Sequence, residues 1–323
     1  MTPGPPARRV VCVTGMHRSG TSLVARVVNL LGVDLGAERH RMAPSDANRR
    51  GHWEPRPIVA LNDDLLRTLG GSWREPPALA DGWERDPQLD GHRAHARRVV
   101  RRVFGDGPGL LGWKDPRTSL LLPFWRTVTP VWRTVVVVRD PDEVVASLQA
   151  RDGLSAEHAV RLWLRYTTAA WRADPERRLL AYEHFFDDCD AAVDRLTEGL
   201  GLPSADDATR ARIAEFFDPG LRTHLRLRAD AGERLRLARG LYDVLLSSPQ
   251  HHADLVVDAV HLGMLDSERL AEAHHQARVA RRMAHRLRTR LPVRLALRLT
   301  ETARPVIRVV TAVRGRSERR AAG

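Results

Sequence analysis

Cysteine is scarce in this chain of 323 residues: there are two, Cys12 and Cys189, far apart. That excludes a disulfide framework and a cysteine-based metal centre. No apolar run approaches the roughly 20 residues that span a bilayer, and no unit recurs at the period of a solenoid or propeller. Lysine is scarcer still. Among 52 Lys and Arg residues one is lysine, Lys114, so guanidinium is used nearly everywhere a cation is wanted. A solitary ammonium in that background marks a position where guanidinium does not serve. Arg8-Arg9 precede a short apolar run, as in a signal peptide, but cleavage there would remove the loop described below. The expectation is a cytoplasmic protein.

The formal net charge of +12 is unevenly placed. Residues 276–323 carry 14 arginines against Glu301 and Glu318, so residues 1–275 balance to zero. The basicity therefore belongs to a tail and says little about the body. Arg278–Arg314 alternates arginine with apolar residues and is broken by Pro292 and Pro305. It reads as a solvated appendage, a peripheral contact with an anionic membrane, or a dock for a partner enzyme or acidic glycan. No aromatics are interleaved, so nucleic acid is not expected. The expected organisation is a body over 1–265 and an Arg-rich helical extension over 266–323. His251-His252 and His274-His275 lack metal-ligand spacing, and no metal is expected.

The body is organised around Val10–Leu31. A β-branched run, Val10–Val13, predicts a buried strand. A tight loop follows, Gly15-Met16-His17-Arg18-Ser19-Gly20-Thr21-Ser22, and then an amphipathic helix over Leu23–Leu31 ended by Gly32. Strand, Gly-bounded loop and helix make a phosphate cradle, with loop N–H groups and the helix dipole facing one anion. The alternative is a Gly-rich turn without a ligand. The spacing fits a Walker loop except at Thr21, where a nucleoside triphosphatase needs lysine. Arg18 supplies the charge from within the loop instead, which suits an adenosine 5′-phosphate donor rather than a Mg²⁺-bound triphosphate.

Further along, a helix is predicted over about Arg56–Leu69, with Pro57 in its first turn, and a basic helix over about Pro87–Phe104 capped by Asp86. Leu110–Trp113 reads as a strand ending at Lys114. Thr134–Val138 reads as a central strand ending at Arg139. Each is followed by Asp-Pro and a helix: Asp115-Pro116, then Asp140-Pro141 before Asp142–Ala150. A helix over about Ala156–Ala173 and a strand over Leu179–Tyr182 complete the pattern. Strands alternating with helices argue for an α/β fold of three layers, a central parallel sheet flanked by helices, with ligands at the strands' carboxyl ends.

Arg139 and Ser147 form a second anion candidate. The arginine stands at a strand end and the serine about two turns into the next helix, whose side chains lean back toward its start. The alternative there is a helix-capping ion pair and a surface serine. HRSGTS resembles the 5′-phosphosulfate loop of the sulfotransferase family, and RDPDEVVAS resembles its 3′-phosphate motif. The resemblance covers about residues 9–200, including Tyr182-Glu183 and Leu200-Gly201-Leu202. It implies a P-loop-type fold and 3′-phosphoadenosine 5′-phosphosulfate (PAPS) as donor. Gly15, His17, Arg18, Ser19, Gly20, Thr21 and Ser22 would bind the 5′-phosphosulfate, and Arg139 with Ser147 the 3′-phosphate. The C-terminal Arg-Lys-Gly element of cytosolic members has no counterpart.

Lys114, in GWKDPR, matches the lysine that such enzymes place near the bridging oxygen, where an ammonium steadies the departing phosphate. The alternative is a surface lysine paired with Asp115. Glu54 is the expected base, partly desolvated beside Trp53, with His52 the other candidate; Glu54 could instead cap the helix near Arg56. Trp53, Trp73, Trp83 and Trp113 would stack on adenine or a sugar, or fill the core. The expected reaction is in-line, metal-independent transfer of a sulfuryl group from PAPS to a hydroxyl of a saccharide, glycolipid or related metabolite. The competing readings are a P-loop small-molecule kinase and a non-catalytic nucleotide-binding protein acting through its tail.

Overall fold

A computed structural model describes residues 8–43, 51–221 and 232–264. Met1–His261, the first of the two units into which the chain divides, holds the sheet and the whole candidate site. The expectations for the tail over 276–323 and for His274-His275 lie outside the described residues.

Four parallel strands form the sheet: β1 (Arg9–Thr14), β2 (Leu110–Lys114), β3 (Val131–Val138) and β4 (Arg178–Ala181), in the order β2-β1-β3-β4. The register sets Val13 beside Lys114, Thr14 beside Val136, and Val138 beside Ala181. All four strands therefore end on one side, so the segments that follow them can share a site. The chain leaves β1 for the β2 edge and then crosses back to β3. That reversal makes the end of β1 the topological switch point.

The two central strands read as near-continuous β-branched runs because both their faces are covered. Val10, Val11 and Val13 of β1 and Val135–Val138 of β3 are buried. Each such side chain contributes about 1.5–3 kcal/mol on leaving water. Against them pack Val24, Val27 and Val28 of α1 (Thr21–Leu30) and Val193 and Leu196 of α8 (Cys189–Leu200).

α1 begins two residues earlier than the apolar pattern suggests. Gly20, at φ 84°, turns the chain so that Thr21 is already helical. α2 (Arg56–Thr68) buries Ile58, Leu61, Leu65 and Leu66, the stripe its sequence predicts. The basic helix α3 (Asp90–Phe104) starts later than expected. Asp86 accepts from the Gln88 N–H at 2.9 Å and so caps a separate 3-10 turn, Pro87–Leu89.

The repeated Asp-Pro signal has two physical outcomes. Asp140 caps α5 (Pro141–Asp152), accepting from the N–H groups of Asp142 (2.7 Å) and Glu143 (3.3 Å). Asp115, ahead of α4 (Thr118–Val128), likewise accepts from the N–H two residues on (Arg117, 3.1 Å), but it is fully buried and also accepts from Asn62 (2.8 Å) and pairs with the Arg117 guanidinium (2.9 Å). Asn62 in turn accepts from the Trp125 indole at 2.8 Å. α2 and α4 are thus tied by a satisfied polar network directly after the Lys114 strand end, which a buried network requires.

α6 (Ala156–Arg172) is capped by Ser155, and after β4 come α7 (His184–Asp187), α8, α9 (Asp207–Phe216), α10 (Glu233–Ser247) and α11 (residues 250–264). His251 and His252 are exposed on α11. Among the described residues no helix is long and apolar enough to cross a membrane.

Candidate active site

The loop after β1 closes tightly against β3. Gly15, at φ 136°, donates its N–H to the Ser119 hydroxyl at 2.9 Å, and a Cβ there would lie 2.3 Å from the Val137 carbonyl oxygen. A Cβ on Gly20 would lie 2.1 Å from the Tyr182 ring. Both glycines are required, because any side chain would push the loop off the strands that frame it.

Arg18, at φ 71°, takes a left-handed conformation that non-glycine residues rarely adopt. The turn sends its side chain toward α5, where Nε donates to the Ser147 hydroxyl at 2.8 Å. From the other direction Arg139 Nη1 donates to the Arg18 carbonyl at 3.1 Å. The two stretches that the sequence marks separately as anion motifs are therefore in direct contact, 129 residues apart in the chain. Ser147 is buried, not a surface serine.

Arg139 differs from expectation in one respect. Its Nε and Nη2 donate to Glu143 at 2.8 and 2.5 Å, one turn along α5. The fork edge expected to grip a phosphate bidentately is thus occupied by a carboxylate. The guanidinium also lies over the Tyr182 ring, 4.6 Å from its centroid. Tyr182 serves both halves, floor for Gly20 and stacking partner for Arg139.

Two polar atoms in the loop are buried without a hydrogen-bond partner, Ser19 Oγ and His17 Nε2. The His17 ring sits 4.6 Å from the Trp73 ring and edge-on to Tyr166. Burial, reinforced by the charges of Arg117, Arg151, Lys114 and Arg18, pushes its pKa well below the usual imidazole value, so the ring is neutral at pH 7. Burial likewise lowers Arg18, with Arg151 and Arg139 adding to the effect. Orphaned buried polar atoms are costly. Here they sit in a loop with an excess of positive charge, and an oxyanion would satisfy both.

Past β2, Lys114 Nζ donates to Glu54 Oε1 at 2.6 Å, and both side chains are buried. Lys114 does not pair with Asp115, and Glu54 makes no capping bond to α2. Trp53, at φ 59°, turns its ring away from this pair, between Arg26 (4.7 Å) and Arg41 (5.0 Å). Glu54 is buried in this pair rather than against the Trp53 ring. His52 holds the segment to the loop through its backbone carbonyl, which accepts from Ser22 Oγ at 3.3 Å. Burial lowers the His52 pKa; Glu54 opposes that shift and Lys114 adds to it. Trp113, against Trp125 at 4.9 Å, is core and has no face to offer a ligand.

Three residues at the site escape sequence reasoning. Ser119 carries no motif. Glu143 hides in the spacer between Arg139 and Ser147, and its one-turn spacing from the arginine is the only hint. Tyr182 stands in a recognised segment, yet only the fold brings it under Gly20 and Arg139.

The Sulfotransferase family model matches residues 11–207. No curated protein matches the sequence. Solved structures that the chain matches include sulfotransferase STF9 from Mycobacterium avium, 16% identical over 76% of this chain and 78% of that one, TM-score 0.47. Sulfotransferase STF1 from Mycobacterium tuberculosis H37Rv is 18% identical over 72% and 76%, TM-score 0.44. The sulfotransferase domain of the Synechococcus PCC 7002 olefin synthase is 15% identical over 74% and 95%, TM-score 0.41.

Proposed function

Because the chain belongs to the sulfotransferase family, we propose that it transfers a sulfuryl group from PAPS to the hydroxyl of a saccharide, glycolipid or related metabolite in the cytoplasm. The observation that carries this reading is the Arg18–Ser147 hydrogen bond, which joins the loop after β1 to the motif after β3. Two anion motifs in contact suit a donor phosphorylated at both ends of one adenosine.

The residues present fit that donor. Ser19 Oγ and His17 Nε2 are buried and unpartnered, and Gly15 and Gly20 let backbone approach an anion closely. When bound, the donor supplies the sulfuryl group and a bisphosphorylated adenosine as leaving group. Gly15 to Ser22 would hold the 5′-phosphosulfate. Ser147, tied to the loop by Arg18, would hold the 3′-phosphate with Arg139, whose charge Glu143 partly neutralises. Glu54, in a buried pair with Lys114, would take the proton of the acceptor hydroxyl. Lys114 would then donate to the bridging oxygen as charge develops there. Most of the rate would come from positioning and charge stabilisation, as in phosphoryl transfer.

The test is a thermal shift. 3′-Phosphoadenosine 5′-phosphate should raise the melting temperature without Mg²⁺. A shift seen only with ATP and Mg²⁺ would replace this reading with a kinase.

A further inference from the structure

Beside the Glu54 segment lies a groove of about 670 Å³ lined by Arg39, His40, Arg56, His95 and Arg102 over an apolar floor that includes Pro57 and Val99. We propose that this groove binds an oxyanion, a phosphate or sulfate ester, carried by a soluble acceptor; the assignment to the acceptor rests on the sulfotransfer reading.

The groove gathers arginines with no acid among them. On α2 and α3, Arg67 pairs with Asp64 (2.8 Å), Arg93 with Asp90 (2.6 Å) and Arg101 with Asp106 (2.8 Å). Among the described residues no carboxylate pairs with Arg39, Arg56 or Arg102, and none lines the groove. Like charges are nevertheless held together, since Arg56 Nη2 donates to the Arg39 carbonyl at 2.5 Å. His40 registers the concentration of charge: partial burial, then Arg39, Arg102 and Arg56, push its pKa down. Three convergent guanidinium groups with no acid suit a multiply charged oxyanion.

The groove also adjoins the proposed base. Arg56 follows Glu54 by two residues, a backbone reach of at most about 7 Å. The opposite wall is fastened to the same segment, because the Met42 N–H donates to the Glu54 carbonyl at 2.8 Å and Arg41 bridges to Pro55. An acceptor gripped here by its charged group would be tethered next to Glu54.

Calorimetry on the full chain, with 3′-phosphoadenosine 5′-phosphate saturating the donor site, would titrate inorganic pyrophosphate and then glucose 6-phosphate against glucose. The double variant Arg56→Ala/Arg102→Ala should weaken binding of both phosphates about tenfold or more. The charge-matched Arg67→Ala/Arg101→Ala, drawn from paired arginines on the same helices, should leave it unchanged. Equal loss in both doubles, or none in the first, overturns the groove as a site. Co-sedimentation with phosphatidylglycerol vesicles that is lost in the first double alone would overturn the soluble acceptor in favour of a lipid headgroup. Failure of 3′-phosphoadenosine 5′-phosphate to bind sinks the sulfotransfer reading, while pyrophosphate with the two doubles still decides the groove.

Discussion

At one end of the site a single cation meets a single carboxylate, Lys114 and Glu54 at 2.6 Å, both buried. At the other, Arg139 pairs with Glu143 and also donates to the Arg18 carbonyl, Arg18 donates to a neutral hydroxyl, and two loop polar atoms go unsatisfied. A matched buried pair is stable only as a pair, because removing either partner strands the other in a low-dielectric setting. An unmatched cluster instead stores an unmet demand for negative charge. The first arrangement suits moving a proton without admitting an ion; the second suits admitting ions without moving a proton. The predictions that follow are ordered by the size of the effect that would break this contrast.

The largest belongs to the matched pair. Glu54→Gln keeps the shape and a hydrogen-bond acceptor, so turnover should fall about 10²–10⁴-fold while 3′-phosphoadenosine 5′-phosphate still raises the melting temperature. Lys114→Met should fall about as far. Because it leaves Glu54 buried and uncompensated, it should also lose about 3–5 kcal/mol of stability. The double Glu54→Gln/Lys114→Met should recover much of that stability and none of the turnover. Full turnover by Glu54→Gln would move the base to His52 and dissolve the contrast.

Next is the packing of the unmatched end. Gly20→Ala puts a Cβ 2.1 Å from the Tyr182 ring at a φ of 84°, so the loop must move. Loss of about 1–3 kcal/mol from the backbone conformation alone, plus loss of the nucleotide thermal shift, is expected. Gly20→Ala/Tyr182→Ala should recover part of the stability. Neutral behaviour of Gly20→Ala would mean that the loop does not depend on Tyr182.

These two predictions divide along what the sequence made legible. The two central strands, the loop and the Lys114 and Arg139 strand ends could be read because burial on both faces forces β-branched runs in β1 and β3, and because Asp-Pro marks the turn after β2 and after β3. The pairing of Lys114 with Glu54 could not, since it joins residues 60 apart through the order of strands rather than through local pattern. The same holds for Ser119 under Gly15, a contact made by the crossover from β2 to β3, and for Tyr182 under Gly20, made by the pairing of β4 with β3. Asp86 and Asp115 are legible as turn-starting signals, but that Asp115 also reaches inward depends on a distant partner, Asn62, which no local pattern marks.

A smaller effect sharpens the charge argument. Glu143→Gln removes the acid paired with Arg139 while keeping a side chain that can accept from it. Affinity for 3′-phosphoadenosine 5′-phosphate should rise several-fold, and the gain should shrink with added salt. Weaker binding would mean that Glu143 orients Arg139 for the ligand more than it competes with it.

The smallest is a pH effect on stability. The folded-state pKa of His17 lies well below 6.5, chiefly through burial, and that of His261 is pushed down to about 4 by burial and by Arg172 and Arg165. Between those values and 6.5 the unfolded chain binds protons that the folded chain does not, so stability falls as pH drops below about 6.5 and is flat above it. Each fully depressed histidine contributes a slope of at most about 1.4 kcal/mol per pH unit. Melting temperatures between pH 5 and 8 should therefore fall on the acid side, and less steeply in His17→Gln. Bound 3′-phosphoadenosine 5′-phosphate should reduce the difference between the two proteins, because a phosphate beside His17 favours its protonated form and raises its pKa toward the unfolded value. A profile that is identical in His17→Gln would show that the ring takes up its proton without unfolding, and the loop would then owe its anion affinity to the arginines alone.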